Sequence, residues 1–299
     1  MFFEFQNALR TNNIDFCLNE PMKLHTSFRI GGSADVFITP DSSQKCCKAI
    51  SLCNKFDVPF VIIGKGSNLL VSDSGYRGAV ICISNLISDI TLIENTKIKC
   101  GAGVLLSNVC NFALQNELTG MEFAYGIPGS CGGAVVMNAG AYGGEMKDIV
   151  SKCEYVDLQG NLCSITADNL DFSYRHSFFS DKPFCITDVV LELKKGEANK
   201  IRETMTELLN RRKEKQPLEF PSAGSTFKRP EGSFASMLID KCGLKGFRVG
   251  DAQVSEKHAG FVINRGNATC TDVLTLIEKI TKIVLDETGF KLEPEIKII

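Results

Sequence analysis

The chain contains no run of 18 consecutive apolar residues, so no segment reads as a membrane-spanning helix. Its first residues, MFFEFQNALRTNN, have neither the basic start nor the small-residue cleavage site of a secretory signal, and a cytoplasmic protein is expected. Thirteen cysteines are present without one C-x-x-C spacing. Scattered and odd in number, they argue against a metal site of the zinc type and against a disulfide framework. They read as reduced thiols used as small core hydrophobes. Neither sign of charge is in excess: the net charge is −2, which gives no footprint for nucleic acid. The pattern G-x-x-x-x-G-K-[ST] is missing, which argues against a P-loop nucleotidase. GAGVLLSN at 101–108 has two glycines of the Rossmann fingerprint and lacks the third.

What is present is an ordinary globular composition, 44% hydrophobic and 23% charged, over a length that predicts about two domains. Val58 to Ile63 and Ala79 to Ile83 are apolar, β-branched runs that read as strands on either side of a glycine turn. Hairpins are expected about Glu94-Asn95 and about Gln159-Gly160, a helix over VLLSNVCNFALQNELTG closing near Gly120, and a strand over FCITDVVLELKKG. The texture changes near residue 196. Glu197 to Gln216 carries Ile201, Met205, Leu208 and Leu209 at helical spacing, and Pro217 stops it. A short helix over Phe234 to Cys242, a strand in HAGFVINRGNA, a helix over Thr271 to Glu287 and a terminal strand in FKLEPEIKII follow. The expected class is α+β. Residues 1–196 form the larger region, in two subdomains of about 1–70 and 71–196, and residues 197–299 a smaller α+β domain.

Two glycine-rich stretches stand out in the larger region. GKGSNLL, Gly64 to Leu70, follows a strand directly, and GIPGSCGGAVVMNAGAYGGE, residues 126 to 145, holds seven glycines in twenty positions. Each glycine in a regular element costs about 0.5–1 kcal/mol relative to alanine, so something requires the backbone there to come close or turn left-handed. Successive backbone N–H groups in turns form nests that bind anions, and Ser67 and Asn68 add donors. Two such nests suit a long ligand with a diphosphate in its middle. A set of tight structural turns remains the alternative.

Together these stretches resemble the FAD-binding domain of the UDP-N-acetylenolpyruvoylglucosamine reductase family. HTSFRIGGSADVFITP, FSYRHSFF, PSAGSTFKRP, LIDKCGLKGFRVGDAQVSEKHAGFVIN and LEPEIKII continue the resemblance in order over nearly the whole chain. It implies an FAD-binding fold of the PCMH/vanillyl-alcohol-oxidase type followed by a substrate-binding domain. It also implies FAD as cofactor, NADPH as co-substrate and a UDP-sugar as substrate; no membrane or nucleic-acid partner is expected and no oligomer is implied. The GKGSNLL loop has neither His nor Cys, so the FAD is expected to be non-covalent. Only 50 positions separate Arg175 from Ser225, which matches the shorter form of the family, without its tyrosine-bearing insertion.

The family's reaction passes a hydride from NADPH to FAD, and from FAD to an enolpyruvyl ether whose neighbouring carbon is then protonated. By resemblance, Ser225 is the proton donor, Arg175 meets the substrate carboxylate and Glu295 is the third catalytic residue. By residue type alone, Ser225 would also suit a helix N-cap or turn, Arg175 a surface ion pair, and Glu295, like Glu293, a solvated strand end. The resemblance places the cofactor against Gly64, Lys65, Gly66, Ser67, Asn68 and Leu69, and against Pro128, Gly129, Ser130, Gly132, Gly133, Asn138, Ala139 and Gly140. Substrate contacts are expected from Tyr174, Lys215, Lys228, Arg229, His258 and Lys297. Arg229 stands where some members have asparagine, His258 where some have glutamine, and Lys297 where arginine is usual. Two other classes compete: another non-covalent FAD oxidoreductase of the same fold, and a nucleotide-sugar binding module without chemistry. The latter would not need Arg175, Ser225 and Glu295 together.

Overall fold

The computed structural model describes residues 2–85 and 89–299. The chain folds into two compact units, each assembled from discontinuous segments. The first comprises residues 1–18, 35–65 and 77–211, and the second residues 19–34, 66–76 and 212–299.

Strands Phe16–Pro21, Ser33–Ile38, Tyr76–Cys82 and Phe60–Ile63 lie side by side in that order, with residues 16–18, 35–38, 77–82 and 60–63 in the first unit. Phe60–Ile63 and Tyr76–Cys82 run parallel, with the glycine loop in the crossover between them. Helix Ser43–Lys55 starts at Ser42, whose hydroxyl accepts from Lys45 N–H, and buries Cys46, Ala49, Ile50 and Cys53 at helical spacing. A second, five-stranded antiparallel sheet has the order Leu162–Thr166, Val150–Val156, Cys185–Glu192, Lys97–Gly101, Thr91–Glu94. Both expected hairpins are in it. Helix Leu106–Gln115 stops five residues short of the expected end. Glu117 takes a left-handed φ of 56°, and Leu118–Thr119 then pairs with Lys194–Lys195. Most cysteines are buried and all are free thiols. Burial first, and the neighbouring Cys100 second, push Cys153 up to about 12, as expected of an inert core thiol.

In the second unit, strands Ser222–Ser225, Phe261–Asn264, Ala252–Val254 and Arg248–Val249 form an antiparallel sheet. Helix Cys270–Thr288 packs Val273, Leu276, Ile277, Ile280 and Val284 into the core. It opens on a capping box between Thr269 and Asp272 and closes at Gly289, φ 74°. The terminal segment is a strand over only two residues: Lys297–Ile298 pairs in parallel with Leu69–Leu70.

This division differs from a single cut at residue 196. Phe28, Ile30 and Leu70 are buried with the second core, so the segments that carry them belong to it. Ile201 and Met205, on the Ala198–Lys215 helix, are buried with the first. No helix among the described residues is long and apolar enough to cross a membrane.

Candidate active site

On the first unit, a Cβ at Gly64 would lie 2.5 Å from Ser130 Oγ. Ser130 is buried at the N-cap of the short helix Cys131–Val136 without capping it, and its Oγ has no hydrogen-bond partner among the described residues. Leaving a buried hydroxyl unpaired costs about 1–3 kcal/mol. Gly133 stands over the same hydroxyl, its Cβ position 3.3 Å away. Lys65, Pro128 and Tyr174 are exposed; Gly129 and Ala139 are half-buried.

Three other glycines of this stretch, Gly132, Gly140 and Gly144, make close contacts within the protein. Gly132 presses the helix onto Ala102, where a Cβ would come within 2.6 Å of its neighbour's. Gly144 lies against the Phe123 ring, and Gly140 faces Gly144 O across a two-residue ladder closed by Tyr142 and Gly143. Asn138, fully buried, donates through Nδ2 to Glu145 Oε2 (2.7 Å) and to Ser173 O (2.9 Å), and accepts from Lys147 N–H.

That bond to Ser173 ties the glycine stretch to the arginine. Ser173 and His176 exchange backbone hydrogen bonds, leaving Tyr174 and Arg175 as a two-residue turn. Arg175 has φ 55°, a left-handed conformation that favours glycine. It is half-buried, its guanidinium reaches Gly140 O at 3.5 Å, and its Cζ stacks 5.1 Å from the Tyr174 ring. Ser177 and Ser180 both donate to Val136 O, and Phe178 and Phe179 pack edge-on against Tyr155. Of nine non-glycine residues with positive φ among the described residues, Asn138, Tyr142, Asp171 and Arg175 fall in these two loops. Strain of this kind costs about 1–3 kcal/mol per residue and gathers at functional sites.

On the second unit, Ser225 ends a strand and caps no helix. Ser222 pairs with Ile263 and Ser225 with Phe261, so one extra residue bulges between them, where Gly224 has φ 79°. A bulge re-aims the side chain that follows it. Glu295 is held on the adjacent backbone: its N–H bonds Thr226 O at 2.8 Å. Glu293 is exposed and lies 3.8 Å from Lys228 in a surface ion pair. Glu295 is half-buried, which separates the two carboxylates.

Gly66 presses onto His25 O, Ser67 and Leu69 are half-buried, and Asn68 donates to Glu295 O. Lys215 and Lys297 are exposed, and Arg229 stacks over Phe234 at 4.4 Å. His258 is half-buried; Nδ1 accepts from Gly260 N–H at 3.1 Å. Burial holds its pKa below the ordinary histidine value, against an opposing backbone hydrogen bond and with a smaller contribution from Lys245. The ring is therefore neutral at pH 7, and with Nδ1 as acceptor its proton sits on Nε2, free to donate.

Residues 216–299 match the family model described as UDP-N-acetylenolpyruvoylglucosamine reductase, C-terminal domain, and residues 34–166 match one described as FAD binding domain. The UDP-N-acetylenolpyruvoylglucosamine reductase of Caldanaerobacter subterraneus subsp. tengcongensis is 52% identical over 282 residues, covering 94% of this chain and 93% of its own. This chain belongs to the UDP-N-acetylenolpyruvoylglucosamine reductase family. The crystal structure of the Thermus caldophilus reductase superposes with a TM-score of 0.80 at 34% identity, over 95% of this chain and 98% of that one. An alkyldihydroxyacetonephosphate synthase, 14% identical with a TM-score of 0.51, covers 65% of this chain and 41% of its own and shares the fold alone.

For a member of this reductase family, the sequence hid three features: on the first unit the Asn138–Ser173 link and the exposed Tyr142 at φ 54° with the Arg211 guanidinium 5.4 Å over its ring, and on the second unit the bulge at Gly224. A-Y-G-G was the one available signal, a bulky residue where a tight turn prefers Asn or Gly.

Proposed function

We propose that the chain reduces the enolpyruvyl ether of UDP-N-acetyl-3-O-(1-carboxyvinyl)-glucosamine to UDP-N-acetylmuramate, a step of peptidoglycan synthesis, with NADPH as reductant and non-covalent FAD as relay. Family membership supports the reaction class. The observation that carries the site assignment is the strained turn at Arg175, hydrogen-bonded through Ser173 and Gly140 onto the glycine stretch.

The residues present fit the cofactor. Gly64, Ser130 and Gly133 surround one buried, unpaired hydroxyl, and a side chain at either glycine would crowd it. When bound, FAD supplies the two-electron chemistry, taking a pair from NADPH and releasing it to the enolpyruvyl double bond. Gly64, Lys65, Gly66, Ser67, Asn68 and Leu69, with Ser130 and Gly133, would hold its polar middle, and Pro128, Gly129, Gly132, Asn138, Ala139 and Gly140 would make up the rest of its site.

Arg175 clasps the substrate carboxylate, where negative charge accumulates as an enolate. A guanidinium keeps its charge and offers two parallel donors. Ser225 gives its proton to the adjacent carbon. A hydroxyl is a weak acid, so it serves only when aimed at a strong base, and the bulge at Gly224 does the aiming. Glu295, spliced to Thr226, keeps a carboxylate beside that donor strand to orient and replace the proton. Tyr174, Lys215, Lys228, Arg229, Lys297 and the Nε2–H of His258 bind the rest of the UDP-sugar.

The purified protein is expected to be yellow, to bleach anaerobically with NADPH, and to recolour on adding the enolpyruvyl UDP-sugar but not UDP-N-acetylglucosamine. A flavin that bleaches and then ignores the enolpyruvyl sugar would overturn this reading.

A further inference from the structure

The last residues of the chain are laced to two other segments of the second unit. On one side, Lys228 N–H bonds Glu293 O and Glu295 N–H bonds Thr226 O. On the other, Lys297 N–H bonds Asn68 O at 2.9 Å, Ile299 N–H bonds Leu70 O, and Ser72 N–H bonds Ile299 O. Asn68 adds a side-chain bond: Nδ2 donates to Glu295 O at 3.1 Å. One residue therefore grips the tail twice, before and after Ile296, whose side chain is buried in the second core.

Glu295 consequently has both backbone polar groups engaged. Its N–H is held by Thr226, directly after the strand that ends at Ser225, and its C=O by a residue of the glycine loop. With Ile296 anchored beneath and both peptide groups tied, the direction in which the Glu295 side chain leaves the backbone is set by Thr226 and Asn68 together. The loop around Asn68 is itself stiff. A Cβ on Gly66 would lie 2.1 Å from His25 O, and Ser27 N–H bonds Gly66 O, so this part of the loop is pressed onto the 25–27 backbone. A shift at Asn68 has few ways to dissipate before it reaches Glu295.

We propose that Asn68 is a positioning residue for Glu295, and that occupancy of the glycine loop at 64–68 and placement of the catalytic carboxylate are coupled through it. The side chain that the family resemblance assigns to the cofactor also bonds the backbone of Glu295. This inference rests on the function proposed above, since that is what makes Glu295 catalytic.

Asn68→Asp keeps the shape and removes the N–H donor; Asn68→Ala removes the group without adding charge. Hydrogen–deuterium exchange is followed by peptide in FAD-free and FAD-saturated protein, beside the two half-reactions in single turnover. In both variants the 293–299 peptide is expected to exchange at least ten-fold faster than in the parent, with the 270–288 helix unchanged. FAD is expected to slow exchange at 293–299 in the parent and not in the variants, while still protecting 126–140. Reoxidation of the reduced enzyme by the enolpyruvyl sugar is expected to slow about ten-fold more than reduction by NADPH, with a larger solvent deuterium isotope effect.

Unchanged exchange at 293–299 overturns the proposal, as does equal slowing of both half-reactions. Loss of FAD protection at 126–140 as well would make Asn68 a plain cofactor ligand and also overturns it. A parent enzyme that never reduces the enolpyruvyl sugar sinks the proposed function instead, and the exchange comparison still decides whether Asn68 holds the tail.

Discussion

Arg175 combines two properties that rarely meet: a long charged side chain and a backbone with φ 55°. A left-handed residue other than glycine costs about 1–2 kcal/mol, which makes a specific stability order the expected outcome at this position. Arg175→Ala keeps the strain and loses the contacts; Arg175→Gly loses the contacts and the strain. The glycine variant is expected to be more stable than the alanine variant by about 1 kcal/mol in urea melts, with reoxidation by the enolpyruvyl sugar equally impaired in both. The reverse stability order would mean that the turn is not left-handed. Ser225→Ala tests a different step. Removing a positioned general acid costs about 10²–10⁴-fold, and only once the substrate carbon needs its proton. Single-turnover reoxidation should collapse while flavin reduction by NADPH stays near the parent rate. Turnover within a few-fold of the parent would make Ser225 a strand-end residue and shift the search to Glu295.

Among elements, the long helix Cys270–Thr288 depends on a residue nearly two hundred positions away. Asp73 accepts from Cys270 N–H (2.7 Å), Thr271 N–H (2.9 Å) and Thr271 Oγ1 (2.7 Å), adding a second cap to the local one at Thr269. Burial pushes the Asp73 carboxyl upward, but these three bonds together outweigh it and leave the pKa below the ordinary aspartate value. The sign follows from linkage. A carboxylate depressed in the folded state stabilises it fully above the unfolded value of about 3.9, and that stabilisation is lost as pH falls through the folded value. Asp73→Ala is expected to cost about 1 kcal/mol at neutral pH. Denaturant melts at pH 7, 5 and 3.5 should find the gap intact down to about pH 4 and closing below it. A gap of constant size, or none at pH 7, would remove Asp73 from the helix cap.

For the whole molecule, the relevant balance is between folding and cofactor. Beside the glycine loop, Ser130 carries a buried hydroxyl without a hydrogen-bond partner among the described residues. A ligand that binds only the folded chain stabilises it by RT ln(1 + [L]/Kd), about 2.7 kcal/mol at one hundred times Kd. FAD-depleted protein should therefore melt several degrees lower than protein in excess FAD, with the midpoint rising with FAD concentration. Acid precipitation should leave the yellow colour in the supernatant, because the loop from Gly64 to Leu70 offers no thiol or imidazole. Flavin carried down with the polypeptide would contradict non-covalent binding.

Local chemistry was legible in the sequence. The helices around Ile201 and around Ile277, the hairpins at Glu94-Asn95 and Gln159-Gly160, and the stop at Gly289 all rest on neighbours within a few residues, so periodicity and turn preference were enough. The motifs also placed Arg175, Ser225 and Glu295 as candidates. Residue type could not separate Glu293 from Glu295, because both lie near the chain end and differ only in burial and partner. The rest was decided by contacts between distant segments. Gly132 is also pressed onto Ala102, thirty residues back, a close approach that no local pattern encodes. The terminal strand shortened to two residues because its partner is Leu69–Leu70 rather than an adjacent hairpin. The units are discontinuous because Asn264 reaches back 236 residues to Phe28 O and Ser27 reaches forward 195 to Ser222 O. Sequence separation hides such bonds, while a shared hydrophobic core enforces them: Phe28, Ile30 and Leu70 are buried only where Val262, Val273 and Ile296 are.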